Sequence, residues 1–143
     1  MANIEHLQMI NKPAIEVYEA LTTAKGLSEI WTRELTVHDN QVGAVNEFHF
    51  GSDDLTKMQV TELTSPNKVV WYCTESDPEW VGTTLSFDLT EKNGKTTLIL
   101  RHSNWREVTD FYRFCNYNWG MFLYSLKSYC EDGIGMPYQT RKF

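Results

Sequence analysis

The sequence predicts an α+β fold in which a curved antiparallel sheet packs against one long carboxy-terminal helix. Apolar and polar residues alternate with a period of two from residue 33 to residue 102, and helical spacing returns over the last forty residues. Between these patterns, the Asn93-Gly94 pair marks a tight β-hairpin, because both central positions of a type I′ turn require positive φ. With 143 residues and no repeat, linker or low-complexity tract, the chain fits one domain over residues 1–143.

The first thirty residues predict one strand followed by two short helices. Residues 3–10 alternate and form the opening strand. Pro13 stands where a helix would begin, and the residues after it have the spacing of one apolar helical face: Ala14, Val17, Tyr18 and Leu21. A second helix is expected over residues 24–31, although Gly26 inside it costs about 1 kcal/mol of helix propensity relative to Ala.

The alternating region predicts a meander of strands separated by turn clusters. Strands are expected around Phe48 and over residues 57–63, 69–75, 83–90 and 96–102. Taking alternate residues on each strand gives a predicted inward face rich in rings, consisting of Phe48, Phe50, Met58, Val60, Trp71, Cys73, Leu85, Phe87, Leu98, Leu100 and His102.

The final helix is expected to start near Thr109 or Asp110, because Thr and Asp are favoured at helix N-caps. It is expected to end at Gly133, because Gly is favoured just after the last helical residue. One face repeats at three and four residues and would contact the sheet, namely Phe111, Cys115, Trp119, Phe122, Leu126 and Tyr129. The opposite face would be left for water, with Arg113, Asn116, Lys127 and Glu131.

Composition excludes several classes of function. The net charge of −6 and the scattered basic residues argue against a nucleic-acid partner. No apolar window approaches the ~20 residues that span a bilayer, and no signal peptide is recognisable, so we expect no membrane insertion and a cytoplasmic location. Three cysteines without CxxC spacing predict buried free thiols, and the four histidines lack metal-ligand spacing. We therefore expect neither a metal nor another cofactor.

Five segments of the chain resemble a known superfamily. They are residues 13–22 (PAIEVYEALT), 26–28 leading to Trp31-Thr32, 65–71 (SPNKVVW), 98–102 (LILRH), and Trp119 with 125–129 (SLKSY) closing in 133–137 (GIGMP). The chain is similar to START-like proteins, also called SRPBCC, and within them to the branch named after the activator of the heat-shock-protein-90 ATPase. The resemblance implies the helix-grip fold, with two short helices after the first strand.

Two departures limit what the resemblance implies. Relatives often have two tryptophans after the short helices, where this chain has Ile30-Trp31. The eukaryotic cochaperone of the branch has an additional amino-terminal domain that contributes to chaperone activation, for which we expect no room here. Chaperone interaction remains an implication of the family label that no residue of the sequence supports.

The resemblance implies an elongated cavity between the sheet and the final helix that takes a small, largely apolar ligand, lipid-like or polyketide-like. The side chains expected to contact this ligand are Phe48, Phe50, Trp71, Cys73, Glu75, Phe87, His102, Trp105, Phe111, Cys115, Asn118 and Trp119. The alternative is that the rings interdigitate and fill the space, each stabilising the fold by roughly 1.5 to 3 kcal/mol without any ligand.

The sequence assigns no catalytic residue, and His102 is the one candidate. Strand alternation places it beside Leu98 and Leu100, where burial can tune its pKa and let it act as an acid or base. His102, Glu75 and Asn118 are the candidate polar anchors for a ligand. An enzyme of the polyketide cyclase or dehydratase type is therefore an alternative function, and a cochaperone-like interaction domain is another. The oligomeric state stays open, with a homodimer among the alternatives.

Overall fold

The computed structural model describes residues 2–143 and contains one seven-stranded antiparallel sheet. Its strands are β1 (Ala2–Ile10), β2 (Leu35–Thr36), β3 (Val45–His49), β4 (Leu55–Thr64), β5 (Lys68–Glu75), β6 (Thr84–Lys92) and β7 (Lys95–Trp105). The spatial order is β1-β7-β6-β5-β4-β3-β2, so β3 to β7 form the predicted meander, β2 extends it at one end, and β1 adds to the other end. The last strand continues three residues beyond its predicted end.

Three helices and a short 3-10 turn complete the fold: α1 (Ala14–Thr22), α2 (Ala24–Ile30), α3 (Asp110–Asp132) and residues Tyr138–Thr140. The apolar stripe predicted for α1 is buried. Gly26 is needed in α2 although it is a poor helix former, because a Cβ at this position would overlap the carbonyl group of Ala20 in α1. The glycine therefore allows the two short helices to pack closely.

The predicted ends of α3 are confirmed. The Thr109 hydroxyl accepts a hydrogen bond from the Tyr112 amide (3.1 Å), and Gly133 adopts the left-handed conformation (φ 79°) that ends the helix. Likewise, Asn93 and Gly94 have φ values of 54° and 75°, as the predicted hairpin turn between β6 and β7 requires. Local sequence signals thus fix where these elements stop.

The predicted inward face of the sheet is buried, apart from Phe50, which is half-buried just after β3. Glu75 was expected to share this face, and that prediction is wrong. A β-bulge at Thr74 pairs Lys57 with Glu75 but Met58 with Cys73, which breaks the alternation. As a result, Glu75 lies on the outer face, where it pairs with Lys57 at 3.7 Å.

Side chains of α3 cover the free edge of β1. The Tyr112 hydroxyl donates to the Asn3 carbonyl (2.7 Å), and Lys127 Nζ donates to the Met9 carbonyl (2.7 Å). Lys127 was predicted to face water, but it is half-buried because the edge carbonyl and Glu131 both accept from its ammonium group. These contacts satisfy backbone groups that an uncovered edge strand would expose.

The middle of the interface between α3 and the sheet is filled. Phe122 is fully buried, and its ring centroid lies 6.0 Å from that of Phe87 and 5.6 Å from that of Trp31. Trp71 packs against Phe87 at 5.2 Å, and Leu126 of α3 is also fully buried. In this half of the interface, the rings interdigitate and their side chains are buried.

Candidate functional site

A cavity of about 810 Å³ lies at the other end of the interface, beside the first half of α3. Its walls come from five parts of the chain: the end of α2, the β3–β4 turn with the start of β4, the β5–β6 loop, α3, and the carboxy-terminal segment after α3. The residues are Trp31, Phe50, Asp53, Asp54, Leu55, Thr56, Ser76, Asp77, Trp80, Phe111, Phe114, Cys115, Asn118, Trp119, Tyr138, Arg141 and Phe143.

Eight aromatic rings line the cavity, and they contact one another. Trp80 and Trp119 stack with centroids 5.6 Å apart and planes 15° apart, and Trp31 lies 5.6 Å from Trp119. Phe143, at the end of the chain, packs against Tyr138 (5.3 Å). Because these two rings belong to the carboxy-terminal segment, that segment forms part of the wall.

Three carboxylates lie on the cavity wall. Asp53, Asp54 and Asp77 are exposed, and none of them forms an ion pair within residues 2–143. Partial burial, followed by the negative charge of Asp77, raises the pKa of Asp54. This part of the wall therefore carries negative charge next to solvent.

Arg141 brings a cation to the same cavity. Its Nε donates to the Met136 carbonyl (2.7 Å), and its Nη2 donates to the Ile30 carbonyl (2.9 Å). Burial lowers the pKa of Arg141 to about 10, which leaves the guanidinium charged at neutral pH. Within the described part of the chain, no carboxylate lies within ion-pair distance of it.

His102 lies outside the cavity, in a closed chain of hydrogen bonds. Its Nδ1 accepts from the indole N–H of Trp119 (3.0 Å), so its Nε2 carries the proton and donates to the Thr83 hydroxyl (2.7 Å). Thr83 in turn donates to the Trp80 carbonyl (2.5 Å). Burial lowers the pKa of His102 to about 3. The ring is thus neutral, with both nitrogens occupied by groups that do not titrate near neutral pH.

The remaining polar groups of the cavity are uncharged. Cys115 lines it, and burial raises the pKa of this thiol to about 12, so it is protonated and a poor nucleophile at neutral pH. The indole N–H of Trp80 and the side-chain oxygen of Asn118 are buried without a hydrogen-bond partner. The cavity therefore offers hydrogen-bonding groups and fixed charges, but no activated nucleophile.

The structure brings five of the twelve predicted ligand-contacting residues together on the cavity wall: Phe50, Phe111, Cys115, Asn118 and Trp119. Six others pack in the core beside it, namely Phe48, Trp71, Cys73, Phe87, His102 and Trp105. Glu75 lies on the outer face, as described above. Phe87 meets the ring of Phe122, whereas His102 and Trp105 pack against Trp119, Phe111 and Tyr112 in the first half of α3, so all three contact side chains rather than the cavity.

Most of the other wall residues were not expected from the sequence. Asp53, Asp77 and Trp80 belong to segments read only as turns, and Tyr138 and Arg141 follow the last predicted helix. Turn composition shows where the chain reverses but not which cavity a turn faces. The one available signal was the concentration of two aromatic residues and an arginine after the Pro137 helix stop.

Within residues 2–143, no helix is long and apolar enough to cross a membrane. In the same range, no group of three or more His, Cys, Asp or Glu side chains is arranged to hold a metal ion.

Comparison with known proteins agrees with this architecture. The model of the family described as Activator of Hsp90 ATPase homolog 1-like protein matches residues 11–131. The solution structure of the Aha1 dimer from Colwellia psychrerythraea is 36% identical, with a TM-score of 0.86, and the match covers 94% of this chain and all of that one. Among the curated proteins, none matches the chain.

Two more distant structures share the fold. DynU16, from the dynemicin biosynthetic locus, is 21% identical with a TM-score of 0.77, over 93% of this chain and 48% of its own. An HSP90 activator from Plasmodium falciparum is 22% identical with a TM-score of 0.71, over 88% of this chain and 94% of its own. The predicted START-like, helix-grip fold is thereby confirmed.

Proposed function

The chain belongs to the family of Activator of Hsp90 ATPase homolog 1-like proteins, and from this premise we propose that it binds a small, largely apolar ligand in the cavity beside the first half of α3. One observation carries the proposal: a cavity of about 810 Å³ lined by eight aromatic rings and a few polar groups. Ligand pockets of roughly 300 to 1,000 Å³ usually have this composition.

Transfer of a ligand from water to the aromatic wall of the cavity would supply most of the binding free energy. Removing apolar surface of a ligand from water contributes about 25 cal/mol per Å², and the partly exposed wall rings of Phe50, Phe111 and Phe114 offer contact area for it. The unpartnered Trp80 N–H and Asn118 oxygen can each gain a hydrogen bond from a ligand that carries one polar group. Affinity would therefore come from the rings, and orientation from the polar groups.

The same geometry favours binding over acid–base catalysis at His102. A catalytic role would need a titratable partner within hydrogen-bond reach of His102 and access from the cavity. Its two partners are Thr83 and Trp119, and its side chain is fully buried. In this proposal His102 instead holds Trp119 in the position from which that ring contacts the ligand.

Calorimetric titration with dodecan-1-ol, kept below its solubility limit, tests the proposal. We expect saturable binding to the wild-type protein and a loss of at least tenfold in affinity for Cys115→Phe, which places a ring in the cavity. Leu7→Phe is the matched control, because Leu7 is 63% exposed on the outer face of β1. The proposal fails if the alcohol does not bind, or if both variants bind it as the wild type does. Native mass spectrometry of the purified protein would identify any ligand that is retained.

We also propose that the chain forms a homodimer through the outer face of α3. The relative from Colwellia psychrerythraea is a dimer at 36% identity. On this face Tyr117 and Tyr124 lie two helical turns apart and are 72% and 60% exposed. Because α3 covers the edge of β1, extension of the sheet across that edge is a less suitable route.

Sedimentation velocity over a range of concentrations tests the dimer. We expect the wild-type protein to dimerise and the double variant Tyr117→Lys, Tyr124→Lys to be monomeric. Tyr72→Lys, at an exposed position on the sheet, should remain dimeric. A monomeric wild type, or a double variant that still dimerises, would contradict the proposed interface.

A further inference from the structure

Arg141 has more hydrogen-bond donors than the protein uses. A guanidinium group carries five N–H bonds. Two of them, one on Nε and one on Nη2, donate to the Met136 and Ile30 carbonyls, and no other acceptor contacts the group within residues 2–143. Three donors on a partly buried cation are therefore left for something else.

Capping the carboxy-terminal end of α2 uses only one of the five N–H donors of Arg141. The Ile30 carbonyl lies at the end of α2, where unpaired carbonyls need donors. The Ser125 hydroxyl also donates to this oxygen at 2.9 Å, so both of its lone pairs are used and Arg141 contributes one N–H to it. Two neutral carbonyls hold the guanidinium in place, but they do not neutralise its charge, and burying an unpaired charge is costly.

The charges around Arg141 differ from those elsewhere in the cavity. The three aspartates of the wall are exposed to water, and none of them approaches Arg141 within ion-pair distance. A second groove of about 720 Å³ adjoins the cavity at Arg141 and is also lined by Arg113 and Lys142, without any Asp or Glu. Because Arg113 is paired with Asp110 at 3.2 Å, the positive charge of this groove comes from Arg141 and Lys142.

We propose that the ligand of this cavity is an amphiphile with one carboxylate head, which pairs with the Arg141 guanidinium while its apolar body lies among Trp31, Trp80 and Trp119. This inference rests on the proposed function and specifies its ligand. A carboxylate matches the planar donor pattern of arginine, and such charge-assisted hydrogen bonds are about twice as strong as neutral ones. Among the wall residues Arg141 is the one cation, and the three aspartates would repel a carboxylate placed beside them.

Three amphiphiles with the same chain separate the head group from the tail. Dodecanoate, dodecan-1-ol and dodecyltrimethylammonium are titrated below their critical micelle concentrations, with binding followed by calorimetry. We expect dodecanoate to bind the wild-type protein at least tenfold more tightly than the alcohol, and the ammonium compound to bind no better than the alcohol. Arg141→Gln should remove the preference for dodecanoate, so that this variant binds the acid no more tightly than the alcohol.

Arg113→Gln is the matched control, because Arg113 lines the adjoining groove but not the cavity and pairs with Asp110 at 3.2 Å. It should keep the full preference for dodecanoate. If Arg141→Gln does not fold, the affinities of the wild-type protein for the three amphiphiles still test whether a carboxylate head is preferred. Equal binding of acid and alcohol, or tighter binding of the ammonium compound, overturns this inference but leaves the proposed function standing. Absence of binding by all three overturns both.

Discussion

The two halves of the interface between α3 and the sheet are built from the same kinds of side chain but differ in what they leave open. Around Phe122, the rings of Phe87 and Trp31 lie within 6.0 Å and the space is closed. Around Cys115, the facing groups are turns and the carboxy-terminal segment, and a cavity of about 810 Å³ remains. Aromatic content alone therefore does not create a site, since the open half also needs walls supplied by irregular segments.

The largest expected difference between the halves is in stability. Phe122→Ala should lower the free energy of unfolding by about 3 to 5 kcal/mol, because a fully buried ring is removed from a closed region. Phe114→Ala, eight residues earlier in the same helix and 50% exposed at the cavity, should cost less than about 1 kcal/mol. Urea denaturation measures both values. Equal decreases in the free energy of unfolding would show that the two halves are equally packed and would contradict the proposed difference between them.

The second prediction concerns His102 of β7, which accepts a hydrogen bond from Trp119 of α3. The pKa of His102 is about 3 in the folded protein and 6.5 for an ordinary histidine, so below pH 6.5 the unfolded chain binds a proton that the folded one does not. The contribution of neutral His102 to the free energy of unfolding should therefore be complete above pH 6.5. It should be lost as the pH falls towards 3, by up to about 1.4 kcal/mol per pH unit.

The contribution of His102 is isolated with His102→Gln, whose amide can accept from Trp119 and donate to Thr83 without titrating. Between pH 6.5 and 4.5, this variant should lose stability less steeply than the wild-type protein does. His38→Gln, at an exposed position, should leave the slope unchanged. Parallel curves for the wild type and His102→Gln would mean that burial does not hold His102 neutral.

The smallest expected effect is on thiol reactivity. Burial raises the pKa of Cys73 to about 11 and those of Cys115 and Cys130 to about 12, so all three should react with iodoacetamide at pH 8 far more slowly than in denaturant. Only Cys115 lines the cavity. Dodecan-1-ol should slow its alkylation severalfold more than that of the other two, as measured by peptide mass spectrometry. Uniform protection would place the alcohol elsewhere.

The sequence was sufficient for the elements whose signals are local. The Thr109 hydroxyl and the left-handed backbone of Gly133 end α3, and alternation identified the buried face of strands β3 to β7. Glu75 is the exception. The bulge at Thr74 adds one residue to β5, and the side chains beyond it therefore point to the face opposite to the one that strict alternation predicts.

The site was harder to predict than the fold for a physical reason. Trp119 and Cys115 were found because helical spacing identifies the face that contacts the sheet. Trp80 and Arg141 were missed because each lies in an irregular segment, where no periodicity shows which way a side chain points. Whether rings such as Phe87 line a cavity or fill it depends on their partners across the interface, which are distant in sequence.

The most direct test of a divided interface is a crystal structure with 12-bromododecanoic acid bound, since anomalous scattering locates the bromine independently of the protein. The account predicts the bromine among Trp31, Trp80 and Trp119, the carboxylate on Arg141, and no ligand density between Phe122 and Phe87. Bromine found between Phe122 and the sheet, or only on the outer surface, would contradict the assignment of the open half as the binding site.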